Sequence, residues 1–115
     1  MHIRRHLQKV LENATVPATF ADISGEEFRT FCGIEIPVTV TSIAIRFIAL
    51  AKDGTTALPI TNADGTEYEL TITAATAAYL SLDTSLLAGV EKMKIECQST
   101  ELSADKDFQL VSRKF

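Results

Sequence analysis

Along most of this chain apolar and polar positions alternate. "SIAIRFIAL" sets Ile43, Ile45 and Phe47 against Ser42, Ala44 and Arg46, and "YELTIT" sets Tyr68, Leu70 and Ile72 against Glu69, Thr71 and Thr73. "KMKIECQ" sets Met93, Ile95 and Cys97 against Lys92, Lys94 and Glu96. "DFQLVSRK" points Phe108 and Leu110 one way and Gln109 and Val111 the other, and "AYLSLD" points Leu80 and Leu82 inward and Tyr79 and Ser81 outward. Successive side chains of a strand lie on opposite faces, so this period of two predicts half-buried antiparallel strands. Each fully buried Leu, Ile or Phe stabilises by roughly 1.5–3 kcal/mol. A one-residue slip would turn a whole apolar row to water, so the pattern also fixes pairing.

The first residues read differently. In "MHIRRHLQKVLENATVP", Ile3, Leu7, Val10 and Leu11 fall at i, i+4, i+7 and i+8, one face of a helix. Arg4, Arg5, Gln8 and Lys9 fall mostly on the other face. The spacing predicts a short basic amphipathic helix or arm over residues 1–15, with a strand as the alternative, ended by Asn13 or Thr15 and by Pro17. "NATVPAT" is the linker to a β-sandwich domain over residues 16–115. A second helical turn is predicted in "DTSLLAGV", capped by Asp83 or Thr84 and ended by Gly89.

Turn signals recur every ten to twenty residues, the rhythm of a sandwich or barrel. The tripeptide Asp-Gly-Thr occurs twice, at Asp53-Gly54-Thr55 and Asp64-Gly65-Thr66. Asp-Gly between alternating runs predicts type I′ hairpin turns, which need positive φ at both central residues. The two copies then read as two turns of one meander. A calcium loop with Gly65 at its sixth position would need ligands at Ile60 and Thr71, and neither can serve. Asn62, Asp64 and Glu67 can form at most a looser cation cluster, and a plain turn is the simpler reading. The whole predicts an all-β, antiparallel sandwich, jelly-roll-like, of about seven or eight strands.

Composition narrows the function classes. The chain has 115 residues, the length of one domain, and a net charge of −4. Residues 1–11 carry Arg4, Arg5 and Lys9 with no acid, leaving −7 on the remainder. An acidic body argues against general nucleic-acid binding, which rests on a basic surface. Neither a secretory signal pattern nor an apolar run of membrane-spanning length appears, so synthesis in the cytoplasm with reduced thiols is expected. Cys32 and Cys97 match no zinc spacing and read as buried free thiols, with a disulfide across the sandwich as the alternative. The two histidines, His2 and His6, lie in the predicted arm, away from any nucleophile of the β-body. Glu67 and Glu69 share a solvent face without an evident pocket. No catalytic, cofactor-binding or metal-binding residues are assigned, and an enzyme is not expected. Tyr79 reads as outward and suits cross-strand packing better than sugar stacking.

With the β-body assembled, Val16 to Arg113 resembles a family of small virion proteins of tailed bacteriophages. The resemblance rests on "CGIEIP" at 32–37, "LPITNADGTEYELTI" at 58–72, "YLSLDTSLLAGVEKMKIECQS" at 79–99 and "SADKDFQLVSRK" at 103–114, and on their order. Thr84 stands where the family pattern often has Pro, and Pro59 and Ile60 replace a more acidic stretch. Residues 1–15 have no counterpart in it. The resemblance implies a structural role, that of a capsid decoration (cement) protein or head-fibre base, homo-oligomeric, on the virion and bound to the major capsid protein or other virion proteins. Neither nucleic acid nor membrane is an implied partner. A neck or tail component and a glycan- or receptor-binding module are the alternatives. In the decoration reading the arm grips the shell through Ile3, Arg4, Arg5, Leu7, Lys9, Val10 and Leu11.

Overall fold

The computed structural model describes residues 3–10, 19–37, 43–72, 77–97 and 106–114. Their elements are β1 (Ile3–Val10), β2 (Ala21–Asp22), β3 (Arg29–Ile36), β4 (Ile43–Leu50), β5 (Ala57–Pro59), β6 (Glu69–Ile72), β7 (Ala78–Ser81), α1 (Thr84–Leu87), β8 (Lys92–Cys97) and β9 (Lys106–Lys114). One sheet has the order β1-β9-β3-β7, and the other β2-β8-β4-β5 with β6 also on β4. Each of these pairings is antiparallel.

The partners nest. β1 pairs with β9, β2 with β8, β3 with β7, and β4 with β5 and β6. That is one long hairpin rolled into two facing sheets, the winding of a jelly roll. β5 lies along Ile48–Leu50 and β6 along Ile43–Arg46, so the two make one interrupted strand. Counted that way the described residues form eight strands, four to a sheet. The expected all-β sandwich is therefore the fold observed.

The alternation read from the sequence lines the space between the sheets. Phe31, Ile34, Phe108 and Leu110 from the first sheet meet Ile45, Phe47, Met93 and Ile95 from the second. Ile60, Ile72, Leu82 and Leu87 belong to the same buried core. Phe47 stacks on Tyr68 with ring centroids 5.6 Å apart, and the Tyr68 hydroxyl accepts the Asp83 amide at 3.0 Å. One bulge corrects the face of β3: Phe31 pairs with Ser112 and Gly33 with Val111, leaving Cys32 as the extra residue. The insertion lets Phe31 and Ile34 both point inward, which strict alternation forbids. The bulge carbonyl of Cys32 accepts the Leu82 amide at 2.9 Å.

Both Asp-Gly copies are turns, but not the expected ones. Gly54 and Gly65 have φ of +80° and +90°, whereas neither Asp53 nor Asp64 is left-handed. Each carboxylate folds back on the loop. Asp53 accepts the amides of Thr55 and Thr56, each at 2.9 Å, and Asp64 accepts the Thr66 amide at 2.9 Å and its hydroxyl at 2.6 Å. These bonds stabilise loops in which an Asp is followed by a left-handed Gly. Nor do the two turns belong to one meander. Asp53-Gly54 closes β4 onto β5, while Asp64-Gly65 tips a small hairpin, bridged at Thr61 and Glu67, that leaves the sheet between β5 and β6. Gly65→Ala is expected to lower stability by about 1 kcal/mol through its positive φ, read as a lower denaturation midpoint.

The predicted N-terminal helix is a strand. All eight residues of β1 pair with β9, from Ile3 opposite Arg113 to Val10 opposite Lys106. Positions i and i+4 share a face in a strand as well as in a helix, so Ile3 and Leu7 do not distinguish the two. Of the linker only Thr19 is described; the rest of it and the boundary at residues 15 and 16 lie outside the described residues. The predicted turn at 83–89 is present: the Asp83 carboxylate accepts the Ser85 amide at 3.0 Å, and Gly89 has φ +83°.

The inward side of β1 is polar, and Gln8 shows why. Its side chain is 2% exposed. Its carbonyl accepts the Ile95 amide of β8 at 3.2 Å, and its amide donates to the Thr19 carbonyl at 2.6 Å. β2 covers only Lys92 and Met93 of β8. Two residues further on, the Gln8 carboxamide replaces the missing strand and ties one sheet to the other. Removing it strands two backbone groups, each costing about 1–3 kcal/mol when buried and unsatisfied. Gln8→Ala is expected to destabilise by about 2 kcal/mol or more, measured by chemical denaturation, and a loss of a few tenths would refute the bridging role.

Candidate interaction surface

The seven residues assigned to a partner interface do not act as one face. Ile3, Arg5 and Leu7 project from the outer side of the first sheet, with Ile3 and Leu7 55% and 57% exposed. Arg4 lies on the opposite side of the strand, toward the second sheet. Lys9 and Val10 are strand residues opposite Asp107 and Lys106, and Leu11 lies outside the described residues.

The arginines are already engaged within the fold. Arg5 reaches across β9 to Glu35 of β3, and Arg4 pairs with Glu26. What the outer face presents is therefore apolar area beside compensated charge. Val111, opposite Arg5, is only 3% exposed although it faces outward.

At the far edge of the same face, Tyr79 is 52% exposed and opposite Glu35. Its ring lies against Gly33: a Cβ there would come within 2.0 Å of the Tyr79 hydroxyl. This covers the backbone that glycine leaves bare, the cross-strand packing expected from sequence. Burial pushes the Tyr79 hydroxyl pKa up, and the Cys32 thiol beside it pushes the same way. Cys32 is free and half-buried at the bulge, not deep in the core as expected. Gly33→Ala is expected to swing Tyr79 outward, seen as increased solvent exposure of one tyrosine by ultraviolet difference spectroscopy.

On the inner side of β1 a polar cluster forms that sequence reasoning did not assemble. Glu26 pairs with both Arg4 and the buried Arg29. Arg29 donates to the Ser112 hydroxyl at 3.1 Å, and Ser112, fully buried, lies 3.0 Å from His6 Nε2. His6 meets Phe31 edge to face at 5.7 Å. The signal was present: Arg4, His6 and Gln8 alternate with Ile3, Arg5 and Leu7, but no period-two rule expects the polar row to face inward. Phe28 was also missed. It is 73% exposed at φ +61°, a conformation that L residues with bulky side chains rarely adopt.

The other singled-out residues are structural. Asn62 donates to Thr66 and to the Glu67 carbonyl, Asp64 accepts from Thr66, and Glu67 pairs with Arg46. Hydrogen bonds from Thr56 and Thr55 lower the Asp53 pKa to about 2, and those from Thr66 lower that of Asp64. Arg46 also binds Glu96 of β8, with Nε 2.9 Å from the carboxylate. Among the described residues no three His, Cys, Asp or Glu side chains converge as metal ligands, and no helix is long and apolar enough to cross a membrane. The chain matches no protein-family model, no curated protein and no solved structure.

Proposed function

We propose that this chain is a structural protein of a tailed-bacteriophage virion, a capsid decoration protein or head-fibre base that docks through the outer face of its first sheet. The observation that carries this reading is the half-exposed Ile3 and Leu7 on the edge strand β1. Apolar area beside internally paired arginines suits a protein partner rather than a nucleic acid, whose binding needs uncompensated basic charge. The resemblance of residues 16–113 to small virion proteins supports the same reading. The jelly roll is compatible with it, since that winding hosts capsid domains, though it hosts lectins too and does not choose between them.

The attachment element is then an edge strand, not a free arm. Deleting residues 1–15 would remove Gln8 and open the sandwich, so substitutions are the sharper test. Burying the remaining exposed half of Ile3 and Leu7 is worth roughly 1.5–3 kcal/mol in total. The double substitution Ile3→Ser with Leu7→Ser is expected to weaken binding to undecorated shells about ten- to a hundredfold while leaving the circular dichroism spectrum unchanged. Unchanged binding would move the interface elsewhere. The copy number in purified particles, measured by quantitative mass spectrometry, separates the shell from the neck or tail: hundreds of copies are expected for decoration.

A further inference from the structure

We infer that Asp64 is a site of spontaneous backbone modification: it isomerises to isoaspartate, rerouting the chain through its own side chain, while Asp53 in the same tripeptide is protected. Asp-Gly occurs at only these two places in the sequence, each time followed by Thr. A glycine has no side chain to crowd its nitrogen, so that nitrogen can close on the preceding carboxyl group. The local chemistry of the two sites is therefore matched, and the fold is what separates them.

The reaction is a dehydration followed by a hydrolysis. The Asp64 carboxylate takes up a proton from water, and the Gly65 nitrogen attacks its Cγ. A C–N bond forms, the N–H bond and one C–O bond break, and the released hydroxyl and hydrogen leave as water. Water then adds back to the cyclic imide. Opening at Cγ restores aspartate. Opening at the backbone carbonyl leaves isoaspartate, with one more methylene in the backbone and a free α-carboxylate. Nothing is oxidised or reduced, and water is the one co-reactant.

The two nitrogens are held alike: Gly54 donates to the Ala51 carbonyl at 2.9 Å, and Gly65 to the Asn62 carbonyl at 3.0 Å. The carboxylates are not. At Asp53 both oxygens are occupied. Oδ1 accepts the Thr55 and Thr56 amides, each at 2.9 Å, and Oδ2 accepts the Thr56 hydroxyl at 2.6 Å. At Asp64 the Thr66 amide and hydroxyl both converge on Oδ1, and among the described residues nothing donates to Oδ2. Asn62 braces this loop through the Thr66 hydroxyl and the Glu67 carbonyl, not through the carboxylate. Attack requires the carboxyl group to turn its carbon toward the nitrogen and to carry a proton. Asp53 must break bonds at both oxygens to do so, whereas Asp64 already offers Oδ2 to water. Hydrogen bonds from Thr56 and Thr55 also hold the Asp53 pKa at about 2, which keeps its neutral form scarce.

The sites differ too in what a longer backbone disturbs. Asp53 lies in the loop that joins β4 directly to β5, where the Ala51 amide meets the Thr56 carbonyl at 2.8 Å. Asp64 tips the hairpin bridged at Thr61 and Glu67, outside the sheet. An added methylene there opens the contact of the Asn62 amide with the Thr66 carbonyl, 2.7 Å long, and leaves the pairing of β6 with β4 from Glu69 onward intact.

Ageing the full chain at neutral pH tests the assignment. An endoproteinase that cuts before aspartate but not before isoaspartate, followed by mass spectrometry of the fragments, reads the two sites separately. In the folded chain isoaspartate is expected to accumulate about tenfold faster at Asp64 than at Asp53, the worth of one further hydrogen bond to a carboxylate. In the chain unfolded by guanidinium chloride the two rates should agree, because the tripeptides are the same. Thr56→Val keeps the β-branched shape and removes the donor to Oδ2, so it should raise the rate at Asp53 to that at Asp64. Equal rates in the folded chain, a faster reaction at Asp53, or none at Asp64 would overturn the inference. A bias toward Asp64 that persists in the unfolded chain would do the same, since sequence and not the fold would then set it. A Thr56→Val chain that reacts no faster at Asp53 would overturn the protective role of that hydroxyl.

Discussion

The pairing of β1 with β9 is the constraint on which the rest of the sandwich depends. It joins the first strand to the last along eight residues, and it places Gln8 where it can reach Ile95 on the opposite sheet. β2 is only two residues long and cannot cover that side of β8. A side-chain amide from the first sheet completes the hydrogen bonding of the second, so the two sheets are held by more than the apolar contact between them. The same pairing sets Ser112 between Arg29 and His6 and brings Arg4 to Glu26.

Much of this was legible in the sequence. The apolar rows of β4, β6, β8 and β9 were visible because both sheets bury one face and wet the other, which writes a period of two into the chain. The cap at Asp83 was visible because helix ends use few residue types. Three features were not. β1 imitated a helix because Ile3 and Leu7 share a face under either period, and its buried row is polar. The Cys32 bulge shifts alternation by one at a position that no local residue type marks. The Asp-Gly turns fixed where the chain reverses but not what it reverses onto, since the return of β6 to β4 depends on a tertiary edge left open beyond β5. The jelly-roll order likewise comes from nesting across the whole chain, which no window of residues contains.

The proposed interface was legible only in part. Its apolar members were named from the sequence, and two of them share the outer face. Its basic members were expected to meet a partner, yet two acidic residues far along the chain, Glu26 and Glu35, already neutralise Arg4 and Arg5. Charge counted along a segment overstates what a surface offers when compensating residues lie on neighbouring strands. The face left over is apolar at its edges, with an ion pair across its middle and the ring of Tyr79 over Gly33.

Nested pairing also bears on how the chain is made. Among the described strands β1 is synthesised before all the others and β9 after them, so β1 waits for its partner until the rest of the sandwich has been made. The innermost strands, β4 with β5 and β6, all lie within residues 43–72 and need only that segment to meet. Loop closure favours that order, with contacts of long sequence separation forming late. During synthesis the edge that will carry Ile3 and Leu7 is thus an unpaired segment until β9 arrives. Its arginines, alternating with those apolar residues, keep it from pairing with the same segment on a neighbouring ribosome.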